Sequence, residues 1–198
     1  MASAAGKRPF LVNGLIMLVI HPKDRTTAML TALYEGTDAR LIDQSRSNAE
    51  IKHLLNHVSS LERILLLGHG SDKGLFSRES EDDGLFDRLL IGHSHAYYLR
   101  RHGGNTVGVW CNADLFARKE GLHGLFSGMI ITEMEEAAAY GVETTLAELD
   151  VENVKLARRL RQLMDEEVPL SDIPARLLLM DDAHSKLTTF NYRNFYYL

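Results

Sequence analysis

Short apolar runs alternate with amphipathic segments through the first third of the chain. Residues 15–20 (LIMLVI) and 64–67 (ILLL) are continuous apolar runs, and residues 39–43 (ARLID) form a short mixed segment that also predicts a strand. Between them, residues 24–34 and 48–58 carry apolar side chains at helical spacing. Unbroken apolar runs are typical of strands buried on both faces of a parallel sheet. The order therefore predicts right-handed βαβ crossovers and an α/β fold.

The rest of the chain continues the mixture of strand and helix patterns. The patterns predict a loop with a small hairpin over 68–83, helices over 86–99, 129–140 and 151–164, strands over 106–110 and 176–180, and a β-prone aromatic tail over 187–198. Together these elements predict a single domain over 1–198, a three-layer α/β/α sandwich with a mostly parallel central sheet. Residues 1–9 are expected to be disordered.

Composition narrows the classes of function. With 45% hydrophobic and 25% charged residues, the 198-residue chain has the profile of an ordinary globular domain. A formal net charge of -5 argues against nucleic acid as a partner. The apolar run near the start is too short to span a bilayer, and a single cysteine excludes an intrachain disulfide. We therefore expect a cytoplasmic protein with no membrane partner.

Two chemically reactive side chains follow predicted strands directly. His69 lies just beyond the strand over 64–67, and Cys111 ends the strand over 106–110. The carboxyl ends of strands in an open α/β sheet form ligand crevices, so both side chains are expected at one edge. An imidazole favours the thiolate of a nearby cysteine, and backbone N–H groups such as those of Gly70 and Cys111 stabilise an oxyanion. The pattern predicts a His–Cys catalytic pair.

The segments ILLLGHGS (64–71) and VGVWCNA (107–113) resemble the two signatures of the caspase-like cysteine peptidases. That group includes caspases, metacaspases, gingipains, clostripain and bacterial CHAT domains. The resemblance covers residues 60–114 and extends to residue 15 in the order of elements. It implies a caspase-like fold, His69 as a general base or imidazolium, Cys111 as the nucleophile and Gly70 in the oxyanion hole. It also implies a protein or peptide substrate and no cofactor.

The resemblance does not extend to a substrate pocket. Trp110 precedes the cysteine where many relatives carry a small residue, which predicts a narrow or remodelled site. Asp114, just after the proposed nucleophile, is the candidate for a pocket that receives a basic side chain. Glu133, Glu135 and Glu136 are alternatives, although a carboxylate-rich helix face is usually solvated.

Two other functions remain open at this stage. A caspase-fold binding or scaffold protein without activity would bury Cys111 and keep it beyond hydrogen-bond reach of His69. A His-rich metallohydrolase is suggested by the segment GHSH (92–95), but side chains two residues apart on a helix diverge, so we predict no metal site there. The sequence makes no prediction of oligomeric state.

Overall fold

The computed structural model describes residues 17–78, 86 and 88–198 of the chain. Its strands are β1 Met17–Ile20, β2 Arg40–Ile42, β3 Arg63–Leu67, β4 His69–Ser71, β5 Gly74–Ser77, β6 Arg88–Ile91, β7 Thr106–Val109, β8 Gly124–Ser127 and β9 Phe195–Tyr197. The prediction of disorder over 1–9 lies outside the described residues. Residues 79–83 of the predicted loop and the first two residues of the predicted first strand also lie outside them.

A six-stranded sheet organises the domain, in the order β2-β1-β3-β7-β8-β9. Strands β2, β1, β3, β7 and β8 pair in parallel. The edge strand β9 pairs with β8 in the antiparallel direction. A second, three-stranded antiparallel sheet contains β4, β5 and β6. The predictions of an α/β fold and of a mostly parallel central sheet are confirmed.

The helices are α1 Asn48–His57, α2 His93–Leu99, α3 Ala113–Glu120, α4 Met134–Ala139, α5 Leu146–Asp165, α6 Ile173–Met180 and α7 Lys186–Arg193, with short 3-10 helices at Ala28–Leu33 and Arg100–His102. At two of these helices, a side chain at the N-cap accepts a hydrogen bond from a free backbone amide of the first turn. Ser47 accepts a hydrogen bond from the Glu50 amide while Glu50 bonds the Ser47 amide, a capping box that begins α1. The Thr145 hydroxyl caps α5 by accepting a hydrogen bond from the Glu148 amide.

Helices cover both faces of the central sheet because successive side chains of a strand point to opposite faces. In β3, Ile64 and Leu66 pack in a core with residues of α1, α2 and α3. Leu65 and Leu67 pack in a second core with residues of α5, α6 and α7. All four side chains are fully buried, which is why the strand reads as an unbroken apolar run.

Several predicted elements differ from the structure. The segment 176–180 is not a strand but the end of α6, which Pro174 helps to begin, since a short apolar run does not distinguish a strand from a buried helix. The first part of the predicted helix over 86–99 is β6, which pairs with β5. The predicted helices over 24–34 and 129–140 shorten to the 3-10 helix at Ala28–Leu33 and to α4, and the tail contains α7 before β9. Among the described residues, no helix is both long and apolar enough to cross a lipid bilayer.

Two buried histidines make the stability of this fold depend on pH. Burial lowers the pKa of His21 and of His95 from 6.5 to about 4. Between pH 6.5 and 4 the unfolded chain therefore binds protons that the folded chain does not, so the free energy of unfolding falls as the pH falls through this window. Stability from this source is fully present only above pH 6.5.

We predict that His95→Gln loses less stability than the wild type when the pH is lowered from 7.5 to about 5. Glutamine does not titrate, and its side-chain oxygen can replace His95 Nδ1 as acceptor for the Gly92 amide, 3.2 Å away. Urea unfolding at several pH values measures the difference. Parallel pH profiles of the variant and the wild type would contradict the prediction.

Candidate active site

The pairing of β3 with β7 sets the position of the candidate site. The two strands are parallel neighbours, with Leu67 opposite Val109 at their carboxyl ends. His69 follows one strand end and Cys111 follows the other, so both leave the sheet at the same edge. They line one open cleft with a cavity volume of about 550 Å³, which Gly70 also lines.

Cys111 sits in a tight turn between β7 and α3. Asn112, which follows it, adopts a left-handed conformation (φ 66°) and lets the chain enter α3 at once. The half-buried Cys111 Sγ lies 3.8 Å from the Ile130 carbonyl oxygen and 3.9 Å from Glu136 Oε1. Burial of the thiol, followed by the negative charge of Glu136, raises the pKa of Cys111 to about 11. The resting group is therefore a thiol at neutral pH.

His69 is oriented by two residues that follow β1. Its Nε2 atom lies 2.5 Å from Thr26 Oγ1 and 3.3 Å from Asp24 Oδ1. The Thr26 hydroxyl donates its single proton to Asp24 at 2.6 Å, so it accepts from His69 Nε2–H. This arrangement leaves Nδ1 as the basic nitrogen of the neutral ring.

The Asp24 carboxylate is held in its ionised form. Partial burial opposes ionisation, but hydrogen bonds from the Thr26 hydroxyl and amide, with the positive charge of Arg78, keep the pKa of Asp24 below its usual value. Arg78 Nε lies 3.3 Å from Asp24 Oδ2. An ionised Asp24 only accepts hydrogen bonds, which fixes the direction of the Thr26 hydroxyl.

Aromatic packing also restrains the imidazole. The ring centroids of His69 and Phe86 are 4.5 Å apart, and the Arg78 guanidinium lies 4.2 Å from the Phe86 centroid. Neither ring nitrogen of His69 forms a hydrogen bond with Cys111 Sγ, whose partners among the described residues are Ile130 and Glu136. The two groups share a cleft without a preformed thiolate–imidazolium pair.

Gly70 is required where the hairpin crosses Trp110. The buried indole donates a hydrogen bond from Nε1 to the Ser71 carbonyl oxygen at 3.1 Å. A Cβ atom at position 70 would lie 2.1 Å from Trp110 Cδ1 and 2.4 Å from the Gly74 carbonyl oxygen. The large residue before the cysteine therefore supports the loop that carries His69.

Asp114, the predicted pocket residue, lies in the first turn of α3, with its carboxylate 3.8 Å from Arg118 Nε. It does not line the cleft that contains His69 and Cys111. Glu136 lines that cleft instead, although the sequence pattern favoured a solvated position for it. Sequence reasoning did not identify Asp24 and Thr26, whose one signal was their place after the end of β1.

The histidines of the segment 92–95 point apart. His93 is exposed, with Nδ1 2.8 Å from Glu120 Oε2. His95 is buried, and its Nδ1 accepts from the Gly92 amide. Within residues 17–78, 86 and 88–198, no three His, Cys, Asp or Glu side chains form a group suited to hold a metal ion.

No family model, curated protein or solved structure matches this chain. The likeness of residues 64–71 and 107–113 to the caspase-like signatures is a likeness of two short segments. Function is therefore inferred from the site's own geometry and charge.

We predict that Gly70→Ala destabilises the fold by about 1–3 kcal/mol, because the added methyl group overpacks the space beside Trp110. Gly103→Ala is the matched control: its φ is -54°, and the nearest atom to its added Cβ is 3.7 Å away. Urea unfolding compares the two variants. Equal losses of stability would contradict the packing explanation.

Proposed function

We propose that this chain is a cysteine peptidase of the caspase-like type, with Cys111 as nucleophile and His69 as general base. The observation that carries the proposal is their common cleft at the carboxyl edge of β3 and β7. The hydrogen bond of His69 Nε2 to Thr26 adds to it, because it leaves a basic nitrogen on the same ring. The resemblance of both segments to the family supports the same assignment.

The reaction would proceed in two balanced steps. First, Nδ1 of His69 accepts the thiol proton while Sγ of Cys111 attacks the peptide carbonyl carbon, and the proton then passes to the leaving amine as the C–N bond breaks. Next, His69 accepts a proton from water while the hydroxide attacks the thioester. The C–S bond breaks, the carboxylic acid leaves and the thiol regains its proton. No cofactor enters this scheme.

The backbone amides of Gly70 and Cys111 are the proposed oxyanion donors. A glycine at position 70 lets a substrate carbonyl approach the main chain with no side chain between them. Gly70 and Cys111 line the same cleft, which supports this role. The packing of Gly70 against Trp110 fixes the position of its amide.

The raised pKa of Cys111 defines how the nucleophile would form. With the thiol protonated at rest, His69 must remove the proton as attack occurs, rather than hold a stable thiolate beforehand. This assigns His69 the role of a general base rather than of a permanent cation.

A binding or scaffold protein is the second candidate. The observations in its favour are the raised pKa of the thiol and the absence of a hydrogen bond between Cys111 and His69. In that function the cleft would receive a peptide without cleaving it. The partial exposure of Cys111 and the oriented imidazole favour the peptidase.

We expect the wild type to cleave members of a peptide library and Cys111→Ala to cleave none, because the acyl-enzyme requires Sγ. Mass spectrometry of the products identifies the cleaved bonds. Equal cleavage by both proteins would remove Cys111 from the reaction. Binding without cleavage by the wild type would favour the scaffold.

A further prediction concerns Thr26 as a positioning residue. Thr26→Val keeps the shape of the side chain but removes the hydroxyl that accepts from His69 Nε2–H. We expect kcat to fall about tenfold or more with little change in KM, because the wrong tautomer and orientation of a catalytic histidine act on the chemical step. The exposed Thr31, whose hydroxyl bonds the Ala28 carbonyl, provides the control Thr31→Val. Equal kcat values in the two variants would exclude the positioning role.

A further inference from the structure

The carboxylate of Glu136 is held rigidly against the thiol. Its Oε2 atom accepts hydrogen bonds from the Thr132 amide at 2.7 Å, the Thr132 hydroxyl at 3.2 Å and the Glu133 amide at 3.2 Å. These three donors occupy one oxygen and leave Oε1 facing Cys111 Sγ at 3.9 Å. One oxygen anchors the group, and the other is presented to the cleft.

The other charged groups of the cleft do not cancel this negative charge. Asp72 and Lys73 lie at the exposed tip of the β4–β5 hairpin and have opposite signs. His69 is engaged by Thr26 and Asp24. Among the described residues, no Lys, Arg or His forms an ion pair with Glu136. The negative field at the Cys111 sulfur therefore comes first from the Glu136 carboxylate, with a smaller contribution from Glu133.

We propose that Glu136 selects substrates that carry an ammonium or guanidinium group close to the scissile carbonyl. This inference rests on the proposed function, since it assigns the substrate class of the same cleft. A cation hydrogen-bonded to Oε1 at about 2.8 Å would lie within about 7 Å of Sγ. A bound substrate places there the residue before the scissile bond, whose carbonyl carbon is attacked by the sulfur. An anionic group at that place would be repelled.

Two sources supply such a cation: the side chain of a lysine or arginine before the scissile bond, and a free α-amine on that residue. Either one would also prepare the nucleophile. Glu136 contributes to the raised pKa of Cys111, and a bound cation offsets that contribution, so the correct substrate eases removal of the thiol proton. Substrate binding and nucleophile activation are thereby coupled.

The test uses charged thiol reagents, which report selection at Cys111 without peptide hydrolysis. Cys111 is the only cysteine of the chain, so each modification is assigned by mass alone. The rates of 2-aminoethyl methanethiosulfonate, a cation, and 2-sulfonatoethyl methanethiosulfonate, an anion, are expressed as a ratio and normalised to free cysteine. The ratio removes any general change in thiol reactivity between variants.

We expect the ratio in the wild type to exceed that in Glu136→Gln by on the order of tenfold, because a carboxylate at contact distance attracts the cation and repels the anion. Glu135→Gln removes the same charge from an exposed neighbour and should leave the ratio near the wild-type value. Equal ratios in the wild type and Glu136→Gln would overturn the proposal. If Glu136→Gln does not fold, the cation-to-anion rate ratio of the wild type is the test. A ratio that exceeds that of free cysteine and decreases as salt is added supports the proposal. Any other result overturns it.

Peptide substrates separate the two sources of the cation and keep this proposal distinct from the peptidase itself. Faster cleavage of N-acetyl-lysine than of N-acetyl-norleucine amides indicates side-chain recognition, and faster cleavage of free-amine than of N-acetylated norleucine amides indicates α-amine recognition. Cleavage of N-acetyl-norleucine amide as fast as both cationic substrates would overturn the proposal while leaving the peptidase intact. Conversely, a selective reagent ratio without any Cys111-dependent cleavage would contradict the peptidase and retain a cation-binding cleft.

Discussion

The parallel pairing of β3 with β7 is the constraint on which the site depends. Parallel strands bring their carboxyl ends to one edge, and the register that sets Leu67 opposite Val109 ends both strands at the same level. His69 and Cys111 are 42 positions apart in the chain and meet in one cleft for this reason. The buried apolar side chains of both strands enforce the register, because a shift by one residue would exchange the two cores.

The site combines two opposing electrostatic arrangements. On the imidazole side, the Thr26 hydroxyl, itself bonded to ionised Asp24, orients the ring of His69. On the thiol side, burial and the Glu136 carboxylate keep Cys111 protonated. In the proposed peptidase, proton transfer from Cys111 to His69 would therefore wait for substrate. Such an arrangement protects the thiol from oxidation, since the thiolate is the form that reacts.

Sequence patterns predicted the parts of the fold that periodicity encodes. Unbroken apolar runs predicted β1 and β3, a β-prone segment predicted β7, and helical spacing of apolar residues predicted α1. The run over 176–180 misled the prediction, because Leu177 is buried and Leu179 is exposed on a helix that the residue types alone do not distinguish from a strand. The common edge of His69 and Cys111 was predicted because each residue follows a predicted strand, and the carboxyl ends of parallel strands lie at one edge of the sheet.

No periodic pattern in the sequence predicted that the Glu136 carboxylate lies beside the Cys111 thiol. Glu136 reaches the cleft because the chain after β8 turns back over Cys111, where the Asn112 amide bonds the Gly128 carbonyl at 3.2 Å and Ile130 contacts the thiol. Asn191 then holds the next residue of that segment through the Ile131 amide at 2.8 Å. These contacts join residues far apart in sequence, so the environment of the Cys111 thiol is a tertiary property. The chemistry of Cys111 is thus set as much by the segment that covers it as by the strand that carries it.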